Sequence, residues 1–287
     1  MAAVDGSGMA TQASRWAAAL AGKLDAPLEL LTVLPDRGFV LAEMATLGQV
    51  PVFAEAEKEA EERLDAAKAD LKSQHPDVEI ATATASGSAV RALIDASRNA
   101  RLLVIGASGV GLVESTLVGS TTIRVSGRAL CPVAVWRGES STLDNRPIVV
   151  GVDGSESSEI AAATAFDIAS RAGATVVAVR SYSSRRPIGE VTIPNMVDWN
   201  AVEKSENEAL QANLALLVEQ YPDVNVTEIV AQVNPARLLL ESAGNAQLIV
   251  VGSRGLGHIV GGLFGSTSQN LLHRAPCPIV ICRDLAE

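Results

Sequence analysis

LIVVGSRGLGHIVGGLFGSTS, residues 248–268, decides the reading of this chain. Four apolar residues run straight into a loop holding Gly252, Gly255, Gly257, Gly261, Gly262 and Gly265, which stops at a Gly-Ser-Thr-Ser cluster. A short continuous apolar run fits a strand buried on both faces, as in a parallel sheet covered by helices. Glycine at the end of such a strand opens positive φ to the chain and lets backbone N–H groups approach a ligand with no Cβ in the way. After Gly265 the stretch STSQNLLHRA opens a helix. Its first N–H groups lack intrahelical partners and its dipole favours an anion. A phosphate chain suits this apparatus, with Ser266 adding a hydroxyl; a purely structural turn is the alternative reading.

The pattern occurs twice, which favours the ligand reading. LLVIGASG (102–109) returns as LIVVGSRG (248–255), HPDV (75–78) as YPDV (221–224) and ALCPVAVWR (129–137) as APCPIVICR (275–283), each 146 positions on. VDGS (4–7) returns at 152–155, 148 positions on, so the first copy carries two extra residues before His75. Both copies share the spacing G-x2-G-x9-G-S, as Gly106, Gly109, Gly119 and Ser120 and as Gly252, Gly255, Gly265 and Ser266, although the residues between differ greatly. GESSTLDNR (138–146) is polar and aperiodic and reads as a linker. It divides the chain into domains 1–140 and 146–287, each of ordinary size for a single core.

Within the second copy, IVVGV (148–152), TVVAVRSY (175–182), NVTEIVAQV (225–233), LIVVG and PIVICR (278–283) are predicted strands. SSEIAAATAFDIASRAG, with Ala162, Phe166 and Ala169 on one side and Gly173 at its end, is a predicted helix. WNAVEKSENEALQANLALLVEQY and NPARLLLESAGNA supply two more. Strands alternating with helices imply right-handed βαβ units and an open parallel sheet. Such sheets hold ligands beyond the carboxyl ends of their strands, where the strand order reverses.

Composition narrows the function classes. Hydrophobic residues make up 48% and aromatic residues 3%, so Ala, Val, Leu and Ile must build the cores. The net charge of −10 repels a phosphate backbone, and the tight basic pair Arg185-Arg186 reads as a solvated loop, so no nucleic-acid partner is expected. Three cysteines fit neither a disulfide framework nor a metal knuckle. MAAVDGSGMATQ has neither a basic nor an apolar segment, and no 18-residue apolar run occurs. We expect a soluble, cytoplasmic protein with no membrane contact, and no His/Cys/Asp set has metal-ligand spacing. Val260 and Glu114 stand where GxGxxG needs its third glycine, and Ser266 stands where GxxxxGK[ST] needs lysine, which argues against a dinucleotide dehydrogenase and a Walker ATPase.

The VDGS after strand one, the G-x2-G-x9-G-S loop after strand four and the closing A-x-C-P-[VI] strand resemble the universal stress protein family in its tandem form. The resemblance covers essentially the whole chain, twice, and its glycine motif marks the ATP-binding branch. It implies an α/β fold of two tandem open-sheet domains, each a five-stranded parallel sheet in the order 3-2-1-4-5 flanked by helices. It also implies ATP as ligand, with or without Mg²⁺. By carry-over, Asp5 and Asp153 contact the adenosine part, with Gly151 keeping the strand end bare; backbone at Val33 and Ser181 meets the adenine edge. Gly106, Gly109, Gly119, Ser120, Gly252, Gly255, Gly265, Ser266 and Thr267 hold ribose and phosphates. The function implied is a stress-response binding or signalling module with an unknown protein partner and at most slow ATPase activity. A homodimer with an intrachain pseudo-dimer, joined through the final strands PVAVWR and PIVICR, is implied as well. One alternative is an adenine-nucleotide hydrolase, against which the absence of an SGGxDS-like loop speaks; the other is a nucleotide-free structural pseudo-dimer.

The two copies depart from the pattern differently. MAAVDGS has Ala3 for Gly151, so either strand one is short or translation starts upstream. The family's G-x-P is Gly87 with Ala89 in copy one and Val233 with Pro235 in copy two, where Val233 is expected to narrow the pocket. Ser108 replaces Arg254, so a cationic phosphate contact is expected in copy two alone. Asp153 has the alternative role of N-cap or turn aspartate. His258 reads as exposed or phosphate-adjacent rather than as a base, His75 and His273 are isolated, and Cys131 and Cys277 read as small buried hydrophobes. EAEKEAEERLDAAKADLK (55–72) reads as a solvated helix face, and connections 34–53 and 182–199 are long enough to cover a ligand.

Overall fold

The structure, a computed structural model, describes residues 1–35, 52–109, 118–138, 141–182, 198–256 and 265–284. His258, Arg185-Arg186 and most of the two long connections lie outside the described residues. Two compact units, Met1–Leu143 and Asp144–Glu287, divide the chain.

Unit one runs β1 (Ala2–Ala3), α1 (Gly8–Lys23), β2 (Leu28–Leu34), α2 (Val52–Gln74), β3 (Ile80–Ser86), α3 (Ala89–Ala96), β4 (Leu103–Gly106), α4 (Ser120–Ser126) and β5 (Val133–Trp136). Unit two repeats this as β6 (Ile148–Gly151), α5 (Glu156–Ala172), β7 (Val176–Ser181), α6 (Trp199–Gln220), β8 (Val226–Ala231), α7 (Pro235–Ser242), β9 (Leu248–Gly252), α8 (Ser266–Arg274) and β10 (Ile279–Cys282). Within unit one the strand order is β3-β2-β1-β4-β5, and within unit two β8-β7-β6-β9-β10. Both read 3-2-1-4-5, and the pairings β1·β2, β1·β4, β6·β7 and β6·β9 are parallel. The first and fourth strands of each unit are neighbours, so the turn after one and the loop after the other open at the same edge.

The cores follow from the apolar runs. Ile148, Val149, Val150, Leu248, Ile249 and Val250 are wholly buried, as central strands covered on both faces must be. Alanines on α1 and α5, among them Ala13, Ala18, Ala161 and Ala165, let the helices lie close to the sheet, with Trp16 and Phe166 as the large fillers. Ser7 and Ser155 cap these helices, accepting from the N–H groups of Ala10 and Ser158. Gly173 ends α5 at φ 67 in the left-handed region. On α2, Lys58 and Glu62 pair at 3.6 Å in the open, as a solvated face requires. No helix among the described residues is long and apolar enough to cross a membrane.

Three local differences separate the units. β1 pairs over only two residues, against four in β6, and the Met1 ammonium donates to the Leu102 carbonyl at 3.0 Å, its pKa lowered by burial. In unit two Gln247 clamps the approach to β6, accepting from Asp144 N–H at 2.9 Å and donating to the carbonyls of Asp144 and Arg146. Ser126, fully buried, has a hydroxyl without a hydrogen-bond partner among the described residues, where unit two has the buried Leu272. An orphaned buried hydroxyl costs about 1–3 kcal/mol, so Ser126→Ala is expected to raise the denaturant midpoint of unfolding.

All three cysteines are buried thiols outside any disulfide. Burial pushes the Cys131 thiol from 9.0 to about 11 and the Cys282 thiol to about 12. In the unfolded chain these thiols ionise from about pH 9, while the fold holds their protons to higher pH, so the unfolded state binds fewer protons and stability falls across that window. We expect the unfolding midpoint to decline between pH 9.0 and about 11, and the decline to flatten in a Cys131→Ala/Cys282→Ala chain.

Candidate functional site

At the carboxyl edge of each sheet lies a crevice between the ends of its first and fourth strands. In unit one it measures about 390 Å³ and is lined by Asp5, Val33, Gly106, Ser108, Gly109, Gly119 and Ser120, with Ala89 and Leu93 as an apolar wall. In unit two it measures about 350 Å³ and is lined by Gly151, Asp153, Ser181, Gly252, Arg254, Gly255, Gly265, Ser266 and Thr267, walled by Pro235 and Leu239. Every residue given a ligand role from the sequence therefore lines one of two crevices. A larger cavity, about 450 Å³, is lined in unit one by Leu20, Leu24, Leu28 and Leu102 and contains no residue of the glycine loop. Its lining, which also includes Glu29, Asn99 and Arg101, has no counterpart in the duplicated motifs, so the candidate sites are the two smaller crevices.

The aspartates hold the turns after the first strands, and Asp153 also reaches the glycine loop. Asp153 Oδ1 accepts from Ser155 N–H at 3.0 Å and from Ser155 Oγ at 2.6 Å, while its Oδ2 accepts from Leu256 N–H at 3.2 Å, across the crevice in the glycine loop. Asp5 Oδ1 accepts from Ser7 N–H at 2.9 Å in the same way. The turn role is thus real, but the N-caps are Ser7 and Ser155 rather than the aspartates.

Of the motif glycines, Gly106, Gly109, Gly252 and Gly255 serve close approach, and neither these nor Gly119 and Gly265 take a positive φ. A Cβ on Gly109 would stand 2.5 Å from Asp5 Oδ2, and one on Gly255 would overlap Asp153 Oδ2. A Cβ on Gly252 would press the Ser157 backbone and the Arg254 carbonyl at 3.0 Å, and one on Gly106 would meet Met9 at 3.2 Å. Among the described glycines, positive φ occurs at Gly6 and Gly154 in the turns after the first strands and at Gly87, Gly138 and Gly173. Gly151 is not essential for space: a methyl there would touch Leu239 and Val251 at 3.4 Å, which explains why Ala3 fits in unit one.

Beyond each loop a helix points its amino end at the crevice. Gly119 and Gly265 are the N-caps of α4 and α8 and offer no side-chain cap, so the first N–H groups are left for another acceptor. Sequence reading missed the residues that fix these ends. Thr122 Oγ1 donates to the Gly106 carbonyl at 2.9 Å, and Ser268 Oγ to the Gly252 carbonyl at 2.7 Å, tying each helix to the end of its fourth strand. The signal was a hydroxyl three residues past the last motif glycine in both copies. Ser158 was missed too; its Oγ accepts from the N–H groups of Asp153 and Gly154 and donates to the Ser155 carbonyl.

A sequence model of the Universal stress protein family matches residues 1–137 and again 144–283. The chain belongs to the universal stress protein family. A universal stress protein of Mycobacterium tuberculosis is 34% identical over 299 residues, covering 98% of this chain and 95% of its own length. One of Mycolicibacterium smegmatis is 35% identical over 285 residues, with the same coverage of both chains. The crystal structure of a universal stress protein from Archaeoglobus fulgidus superposes with a TM-score of 0.67 at 20% identity, over 98% of this chain and 94% of that one, which shows the shared fold.

The two universal stress protein domains differ around their crevices. In unit two Ser157 Oγ donates to the Arg254 carbonyl at 2.6 Å, whereas in unit one Met9 replaces that serine and Ser108 Oγ donates to its sulfur at 3.0 Å. Val233, expected to narrow the second crevice, does not line it; its carbonyl accepts from Ser181 Oγ. Gly87 takes φ +115 ahead of α3, while in unit two Asn234 caps α7 through Arg237 N–H at 3.2 Å. Gly255→Ala is expected to displace Asp153 and to cost about 1–3 kcal/mol in denaturant unfolding, as an overpacked contact does. Gly265→Ala, at φ −67 with its nearest contact at 3.4 Å, is expected to stay near the parent's stability.

Proposed function

We propose that this universal stress protein is a cytoplasmic stress-response module that holds ATP, with or without Mg²⁺, in the crevice of each unit. The observation that carries the reading is the same in both: a carboxylate at the end of the first strand, pressed on a glycine of the loop after the fourth, faces a glycine-capped helix end. A cradle in which Cβ atoms would collide suits a ligand that needs backbone contact, and volumes of about 390 and 350 Å³ fall in the range of small-molecule sites. In this reading Asp5 and Asp153 orient the adenosine part, and the backbone at Val33 and Ser181 meets adenine. The amino ends of α4 and α8, with the Ser120 and Ser266 hydroxyls, receive phosphate oxygens. Arg254 adds a cation in unit two.

Binding rather than turnover is supported by the chemistry of the walls. Asp5 is the sole titratable side chain among the described residues lining the first crevice, and Asp153 and Arg254 are those lining the second. Neither set pairs a general base with a general acid, so any hydrolysis would be slow. Homodimerisation and a protein partner belong to the same proposal on the strength of the family resemblance. For the dimer, sedimentation at twice the chain mass of 29.8 kDa is the expected result.

The test is the nucleotide content of the purified chain, released by denaturation and identified by chromatography with mass detection. Two adenine nucleotides per chain are expected. A Gly265→Ala/Ser266→Ala chain should lose one, and a chain that also carries Gly119→Ala and Ser120→Ala should lose both while unfolding as the parent does. Undiminished retention by the fourfold variant would overturn the site.

A further inference from the structure

Beneath the Asp153-Gly154 turn lies an ion pair that the nucleotide reading does not use. Arg180 sits in β7 between Val179 and Ser181, which line the crevice, so by strand alternation its side chain leaves on the opposite face. There its Nε donates to Glu206 Oε2 of α6 at 2.7 Å and its Nη1 to Asn213 Oδ1 at 3.4 Å. The two charged side chains are only 12% and 9% exposed. Gly154, at φ +87, rests on this cluster: a Cβ there would stand 3.7 Å from Asn213 Oδ1 and 3.8 Å from Arg180 Nη1.

The fold does not require this pair. Desolvation offsets most of the Coulomb gain of a buried ion pair, and an apolar pair of like volume commonly does as well. Unit one shows the alternative, with Thr32, Ala60 and Ala67 at the equivalent positions, Ala60 buried and Thr32 Oγ1 donating to the Val4 carbonyl at 2.8 Å. Yet unit one still brings a guanidinium to its turn from a different residue. Arg63 of α2 lies against Gly6, its Nε 2.9 Å from where a Cβ would stand. The source of the cation changes between the copies, and its place does not.

We propose that Arg180, held by Glu206 and Asn213, and Arg63 in unit one are positioning residues that brace the Asp-Gly turn and so set the direction of the Asp153 and Asp5 carboxylates. This rests on the nucleotide reading of those aspartates. Because an aspartate directed at the adenosine part acts alike on every adenine ligand, loss of the brace should weaken adenosine, AMP and ATP by one common factor. A disturbance of the glycine-serine loop would instead grow with the number of phosphates.

The experiment is calorimetric titration of the full chain, freed of nucleotide, with adenosine, AMP and ATP in turn. The variant is Arg180→Met/Glu206→Met, which removes both charges together and leaves no buried ion unpaired. Parent-like unfolding with a loss of about tenfold at one of two sites, equal for all three ligands, is expected, the size of one lost charge-assisted contact. Arg63→Met, at a half-buried surface position, carries the same test to the other site should the double variant fold poorly. Unchanged affinity in a chain whose parent binds overturns the brace and leaves the nucleotide reading standing, as does a loss that rises from adenosine to ATP. A parent that binds none of the three overturns both.

Discussion

Each crevice is organised by one contact, a carboxylate at the end of the first strand closed against a glycine three residues past the end of the fourth. In unit two Asp153 joins the Ser155 turn to Leu256 N–H, and the Gly255 position has no room for a Cβ beside it. Much of the site follows from that closeness. The fourth strand must end in glycine as well, since Gly252 runs against the Ser157 backbone at the start of α5. The helix beyond must be tied back to the strand, which Ser268 does through the Gly252 carbonyl. Unit one meets the same demands with Asp5, Gly109, Gly106 and Thr122.

Two domains built on one pattern have diverged where that pattern leaves freedom. The strand ends, the spaced glycines and the hydroxyl at the helix start coincide, because backbone approach tolerates few substitutes. The flanking side chains do not. Met9 stands where unit two has Ser157, Ser108 where it has Arg254, and Val33 where Ser181 binds the Val233 carbonyl. The first crevice is thus the more apolar at its rim and the second the more cationic, a difference that would act on the same ligand through unequal contacts.

The strands of unit two were legible almost to the residue. β6, β9 and β10 coincide with IVVGV, LIVVG and PIVICR to within one residue at either end, because central parallel strands buried on both faces must be continuously apolar. The helix ending at Gly173 was legible for a similar local reason, since only a left-handed residue closes it without strain. Less legible was the purpose of each glycine. The letters do not distinguish a glycine demanded by φ, as Gly6 and Gly154 are, from one demanded by a neighbour's approach, as Gly109 and Gly255 are. Val233 was misjudged for the same reason, since its carbonyl and not its side chain turns toward Ser181.

The sequence by itself determined the duplication, the parallel α/β class, the polar linker and the pair of spaced glycine motifs, because burial and turn chemistry act over short stretches and write themselves into local pattern. Only the tertiary structure decided that Asp153 meets Gly255, that Thr122 and Ser268 anchor the helix ends, and that Arg180 and Arg63 reach equivalent turns from different elements. Those contacts join residues that are far apart in the chain. Their distances depend on how strands and helices pack, and no local pattern carries that information.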